Sequence, residues 1–205
     1  MRALLLSTLA LITVLIYSYP GQALKPGTAE TAKAAATPAK LEKAAFAAGC
    51  FWGTEEFFRK IPGVKSTRVG YEGGDKKASY EDVSTGTTGH AETLELEFDP
   101  KVVSYETLLD QFFKMHDPTT KDQQGNDRGS QYRSAIFTET PEQLKTAEAF
   151  KLKVEKSGAL KAPVVTKIEP AKTFYAAEDY HQKYLVKNPG GYDNHYMRKI
   201  SFDKK

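Results

Sequence analysis

Apolar and polar positions divide the chain into three stretches. Ala3 to Tyr19 is almost wholly apolar; Leu24 to Leu41 is rich in Ala, Lys, Pro and Thr, with no large apolar residue between its ends; from Glu42 to Phe202 apolar positions recur at the spacing of folded elements. The first stretch follows Met1-Arg2 and precedes Pro20-Gly21-Gln22-Ala23, the layout of a secretory signal peptide cut after Ala23. The alternative is an uncleaved anchor through residues 3–19, whose length approaches the roughly 18 apolar residues of a membrane-spanning helix. The second stretch cannot bury enough surface to offset its ordering entropy and reads as a tether. The expected organisation is therefore a signal peptide over 1–23, a tether over 24–41 and one folded domain over 42–205, exported to the periplasm or beyond, or held at the membrane.

Inside the domain the apolar period alternates between two residues and about 3.6. Lys43–Ala48 reads as a short strand running into Gly49. Thr54–Ile61 puts Phe57, Phe58 and Ile61 on one helical face and is stopped by Pro62-Gly63. Thr67–Tyr71 reads as a strand, and His90–Phe98 as a second in which Glu92, Leu94, Leu96 and Phe98 share a face. Ser104–His116 predicts a helix with Ser104 as its N-cap. Tyr132–Phe137 and Val164–Ile168 read as strands, Pro141–Ser157 and Ala176–Val186 as helices. Strands and helices in alternation predict a two-layer α/β sandwich. Between two elements lies Asp117–Gln131, a polar loop of about 15 residues, a length that in a compact domain usually marks function or disorder.

Charge adds little, with 29 basic against 26 acidic residues and no basic block, which argues against nucleic acid as a partner. Cysteine adds more. An exported chain is free to build disulfides, yet this one has a single cysteine, Cys50, which cannot pair within the chain. A lone thiol is inert, bonded to another chain, or reactive. Cys50 lies between a strand end and a helix start, where free N–H groups favour a thiolate. Glu55 and Glu56, placed in the first helical turn, are expected to oppose that and push the thiol pKa up. Phe51-Trp52 beside the thiol offers an aromatic pocket suited to a small apolar group such as a methyl. Glu92, an acid on an apolar strand face, should be protonated or partnered, and a neutral carboxylic acid near a nucleophile is a proton donor. Tyr80 and Tyr132 can supply hydroxyls to polarise an oxygen. His90-Ala91-Glu92 has the H-x-E form of zinc deaminases, but that site needs a C-x-x-C absent here, and His116, His181 and His195 show no ligand spacing.

These segments stand together in one order: Gly49-Cys50-Phe51-Trp52-Gly53, Gly70-Tyr71-Glu72-Gly73-Gly74, Thr88-Gly89-His90-Ala91-Glu92, Asp117-Pro118-Thr119-Thr120, Gln124-Gly125-Asn126-Asp127, Gln131-Tyr132-Arg133-Ser134 and Glu178–Leu185. The chain thereby closely resembles the A-type peptide methionine sulfoxide reductases, over about Lys43 to Tyr196. The resemblance implies a mixed-sheet α/β sandwich with a ferredoxin-like core. It implies Cys50 as the nucleophile toward methionine-S-sulfoxide, free or in proteins, Glu92 as the acid, and Tyr80 and Tyr132 as phenols on the sulfoxide oxygen. It further implies Phe51 and Trp52 around the substrate methyl, Asp127 as a substrate-binding residue, and Glu178–Leu185 as the family's late helix. No metal or organic cofactor is implied. The resemblance implies that loss of methionine leaves a sulfenic acid on Cys50. Many relatives resolve it with a second cysteine; lacking one, this chain is expected to use a thioredoxin-like protein, a glutaredoxin or a small thiol, and to act as a monomer. Two other readings stay open on sequence, a peroxide-reducing thiol enzyme and a tethered module that binds methionine-bearing peptides.

Overall fold

A computed structural model of the protein describes residues 40–203. The signal peptide and nearly all of the tether read from the sequence lie outside the described residues. In chain order the elements are β1 (Glu42–Ala48), α1 (Phe51–Phe58), β2 (Val64–Glu72), α2 (Tyr80–Ser84), β3 (Ala91–Phe98), α3 (Tyr105–Met115), β4 (Gln123–Gln124), β5 (Asp127–Arg128), a 3-10 turn (Ser130–Tyr132), β6 (Ser134–Thr138), α4 (Pro141–Lys156), β7 (Lys167–Pro170), β8 (Tyr175–Ala176) and α5 (Tyr184–Lys187).

Six strands form one sheet in the order β7-β6-β1-β3-β2-β8. The central four pair antiparallel, with β1 between β6 and β3 and β2 outside β3. That is the ferredoxin-like arrangement, reached because helices α1 and α3 each carry the chain across one intervening strand. β7 joins β6 in parallel, which makes the sheet mixed. β1 can occupy the centre because it is short of bulk. Ala45 and Ala47 pack with Ala91, Ala135 and Phe137 on one face. On the other face Phe46 stacks on Phe58 and Phe112, joining α1 and α3 to the main core. Ser104 caps α3 through the Thr107 N–H, and Thr140 with Pro141 opens α4, as their sequence signals predict.

Other expectations shift. Helix α1 starts at Phe51, three residues before the predicted Thr54, because its first N–H has a partner on β3 that no local signal reveals. The strand expected over Tyr132–Phe137 begins at Ser134, Tyr132 closing a 3-10 turn, and that over Val164–Ile168 is displaced to Lys167–Pro170. The polar loop holds a small hairpin, β4 against β5, with its entry fixed by the Gln124 side chain accepting the Asp117 N–H. The helix expected over Ala176–Val186, which includes the late-helix segment Glu178–Leu185, is the largest error. Ala176 is in a strand, and only Tyr184–Lys187 is helical. The side chains in between are held by outside partners in different directions, a tertiary arrangement that overrides their helical spacing.

Candidate active site

β1 ends at Gly49, whose φ of +92° is a left-handed turn that favours glycine. A Cβ on Gly49 would also lie 2.5 Å from the Cβ and Cγ of Gln124, so the hairpin loop packs directly on this turn. The turn delivers Cys50 to the N-cap position of α1, with the residue only 8% exposed. From the second position of β3, Glu92 reaches the same point. It is 3% exposed, and its Oε2 accepts the Phe51 N–H at 3.0 Å. An acid on the core face of a strand thus takes one of the free N–H groups at the start of the helix that carries the thiol.

The electrostatics follow from that shared burial. Burial pushes the Glu92 carboxyl up to about 8, outweighing the Phe51 N–H, and the charge of Asp127 adds to the rise. Glu92 is therefore a neutral acid at pH 7. Burial also raises the Cys50 thiol, with Glu92 and Asp127 acting in the same direction, while the N–H groups of Trp52 and Gly53 pull it down. The resting group is a thiol. This corrects the expected source of the opposing field. Glu55 and Glu56 lie beyond the first turn of α1; Glu55 is paired with Lys183 and Glu56 with Arg59 and Lys60. Tyr80, first residue of α2, and Tyr132, at the end of the 3-10 turn, are half-buried. Burial and then Glu92 raise both phenols, with Cys50 and Asp127 contributing to each. The structure brings Cys50, Glu92, Tyr80, Tyr132 and Asp127 into one electrostatic group from five different elements.

Phe51 and Trp52 divide the two sides of the helix start. Phe51 is buried against Tyr71 and His181. Trp52 is half-buried, donates its Nε1–H to His181 Nδ1 at 2.9 Å, and stacks on Tyr184 with ring centroids 3.7 Å apart and planes at 10°. The indole is a donor only, so His181 Nδ1 accepts and, in the neutral ring, the proton sits on Nε2. Burial lowers the His181 pKa, which keeps the ring in that neutral form. Glu178 ties the opposite wall, accepting the Tyr80 N–H at 3.1 Å and the Tyr71 hydroxyl at 2.9 Å.

Asp127 is held from the C-terminal segment. Tyr192 donates its hydroxyl to Oδ1 at 3.0 Å and Asn194 its amide to Oδ2 at 2.9 Å, while the same amide reaches the Gln124 carbonyl. His195 Nε2 donates to the Ala48 carbonyl at 2.6 Å, immediately before the Gly49 turn. A Cβ on Gly53 would collide with the side chains of Asp193 and His195, so this segment lies flat on the start of α1. His181, Tyr184, Glu178, Tyr192 and Asn194 escaped the residue-level reading, because each reaches the site through a partner 65 or more positions away. The one advance signal was the place of Glu178–Leu185 among the segments of the resemblance. Among the described residues no group of three or more His, Cys, Asp or Glu side chains is placed to hold a metal ion.

Comparison with known proteins agrees with this geometry. The family model for peptide methionine sulfoxide reductase matches residues 42–205. Peptide methionine sulfoxide reductase MsrA of Methanosarcina mazei is 62% identical over 148 residues, covering 72% of this chain and 70% of the relative. Among solved structures, Mxr1 from Saccharomyces cerevisiae in reduced form superposes with a TM-score of 0.75 at 41% identity, covering 80% of this chain and 95% of that one. The complex of Mxr1 with Trx2 superposes at 0.54 and 31% identity, covering 80% and 94%. A thiol and a neutral acid at one helix start, on this sheet topology and at this level of identity, leave a single assignment: the chain belongs to the peptide methionine sulfoxide reductase family, in its MsrA branch, and is an oxidoreductase.

Proposed function

We propose that the chain reduces methionine-S-sulfoxide, free or in proteins, to methionine with Cys50 as the only redox group it supplies. The observation that carries the reading is the pairing of a buried thiol with a neutral carboxylic acid at the start of α1. The Cys50 sulfur bonds to the sulfoxide sulfur as Glu92 gives its proton to the sulfoxide oxygen, and the thiol proton passes to the vacated carboxylate. Tyr80 and Tyr132 donate hydrogen bonds to that oxygen, stabilising the charge that develops there. Phe51 and Trp52 enclose the methyl on sulfur, and Asp127 holds the substrate from the hairpin. Passage of the protonated oxygen from the substrate sulfur to Cys50 breaks the S–O bond and the transient S–S bond, leaving a sulfenic acid on Cys50 and releasing methionine; sulfur in the substrate is reduced by two electrons and Cys50 is oxidised by two.

Two external thiols then return Cys50 to the thiol, releasing water and a disulfide. A thioredoxin-like protein suits this step, in keeping with the Mxr1–Trx2 complex of yeast, since the sequence contains no second cysteine to trap the sulfenic acid. The same reading makes the enzyme an exported monomer that repairs oxidised exported proteins; its support is the apolar segment at residues 3–19 behind a basic start. The test is turnover of the separated S and R epimers of a methionine sulfoxide derivative with dithiothreitol, beside Cys50→Ser. Thiol-dependent loss of the S epimer alone, absent in the variant, is expected. Turnover of both epimers, or activity retained by Cys50→Ser, would overturn the reading.

A further inference from the structure

Trp52 and Glu55 are three residues apart on α1 and so share a face of the helix. The segment from His181 to Tyr184 crosses that face, with three of its four side chains on Trp52 or Glu55 and the fourth on β2. His181 and Tyr184 grip the two sides of Trp52. Gln182 bonds the backbone of β2 twice at one residue, accepting the Val69 N–H at 3.0 Å and donating to the Val69 carbonyl at 2.9 Å. Lys183, between the two residues that hold Trp52, is clamped on Glu55. Its backbone N–H donates to Oε2 at 2.7 Å and its Nζ to Oε1 at 2.9 Å, while Nζ also reaches the Thr67 carbonyl and hydroxyl.

Glu55 is 1% exposed, and a carboxylate so buried is strongly disfavoured once its partner is removed. Lys183 has φ +55°, a left-handed conformation that residues other than glycine rarely adopt. It persists because the N–H and Nζ of one residue converge on a single carboxylate. The same left-handed step separates His181 from Tyr184, so that one meets the Trp52 indole nitrogen and the other its ring face.

We infer that Lys183 is the positioning residue for Trp52, acting through Glu55, and that this clamp sets how large an alkyl group on the sulfoxide sulfur the site accepts. The inference rests on Trp52 forming the wall of the methyl pocket. It assigns selectivity for methyl over ethyl sulfoxides to an ion pair on the helix, with the ring itself as the part it aims.

Trp52 is the only tryptophan in the sequence, so emission excited at the red edge of the indole band, beyond the absorption of the tyrosines, reports this ring alone. In Lys183→Met we expect red-shifted emission and lower anisotropy, a KM for the methyl sulfoxide raised several-fold, and a kcat changed much less. One methylene in a pocket is discriminated by roughly 10- to 200-fold, and the methyl-to-ethyl preference should fall several-fold within that range. Lys183→Arg keeps the charge and should restore both the spectrum and most of the preference. Should Lys183→Met not fold, the pair Glu55→Gln with Lys183→Met, which leaves no buried charge, is expected to show the same shift. Unchanged emission would overturn the clamp as the device that aims Trp52 and leave the catalytic reading standing. Shifted emission with unchanged selectivity would overturn the link to the methyl pocket, and with it Trp52 as its wall.

Discussion

Glu92 Oε2 accepts the backbone N–H of Phe51 at 3.0 Å, so the acid on β3 and the thiol of Cys50 stand one residue apart on the start of a single helix. Their pKa values are coupled through that proximity: burial raises both, and Glu92 raises Cys50 further. The group able to give up a proton at neutral pH is therefore the carboxylic acid. Its proton is retained below about 8 and lost as pH rises through about 8. The rate of Cys50 oxidation by substrate in a single turnover should fall along that limb. Glu92→Gln should lower the rate by roughly 10²–10⁴-fold, the usual cost of lost acid catalysis, and remove the limb. A limb unchanged in Glu92→Gln would assign the ionisation to another group.

Gly49 tests the turn that presents the thiol. Its left-handed φ and its contact with Gln124 both oppose a side chain, whereas Gly158, with φ +71°, has nothing within 4 Å of an added Cβ. Gly158→Ala should cost only backbone strain, about 1–2 kcal/mol. Gly49→Ala should cost more in urea denaturation and also slow Cys50 alkylation or turnover, because relief of the clash must move either the hairpin or the thiol. Equal losses at the two positions would mean that Gln124 yields freely.

Asn194 offers the cleanest view of the C-terminal segment. Its one amide nitrogen serves both Asp127 and the Gln124 carbonyl, across the base of the β4–β5 turn. Asn194→Ala should leave Cys50 alkylation unchanged and raise KM for the sulfoxide, with a loss in kcat/KM of about tenfold or somewhat more, matching the lower end of the roughly 1.5–3 kcal/mol of a bond to a charged group. A fall in kcat at constant KM would instead make Asp127 a transition-state contact.

The central strands, α3 and α4 were legible because their signals are local: alternation in Glu92–Phe98, a Ser104 cap, a Thr140-Pro141 start. The fold class followed from their alternation. The reactive group was legible as residue types beside Cys50, and the common face of Glu92 with Leu94 and Leu96 predicted its burial. What stayed hidden was everything fixed by distant partners. The early start of α1 depends on Glu92, 41 positions from Phe51. The segment from Ala177 to Lys183 has helical spacing, yet its side chains answer to Trp52, Val69 and Glu55. The tail after Gly191 shows no periodicity because it is neither helix nor strand, and it nonetheless holds Asp127 and covers the Gly49 turn.

Glu72 carries a prediction about stability alone. It lies buried at the end of β2, where its Oε1 accepts the Lys172 N–H at 2.9 Å. Burial pushes the carboxyl up to about 7, the charges of Glu139 and Glu95 add to the rise, and the Lys172 N–H opposes it. The folded value thus exceeds the ordinary 4.5, so between about 4.5 and 7 the native state binds the proton more firmly than the unfolded chain. Its contribution to stability is fully present below 4.5 and is lost as pH rises through 7. At 1.36 kcal/mol per pH unit, that window bounds the effect at about 3 kcal/mol. Glu92 acts in the same sense, so the slope of the wild-type curve cannot be assigned to Glu72 by itself. Glu72→Gln separates them: the amide oxygen can still accept the Lys172 N–H, the charge is gone, and Glu92 is common to both proteins. Chemical denaturation at pH 5 and pH 8 should give the variant near-equal stability to wild type at the lower pH and greater stability at the higher. Parallel curves at both pH values would mean that water or a shift of the Lys172 segment solvates the Glu72 carboxylate once it ionises.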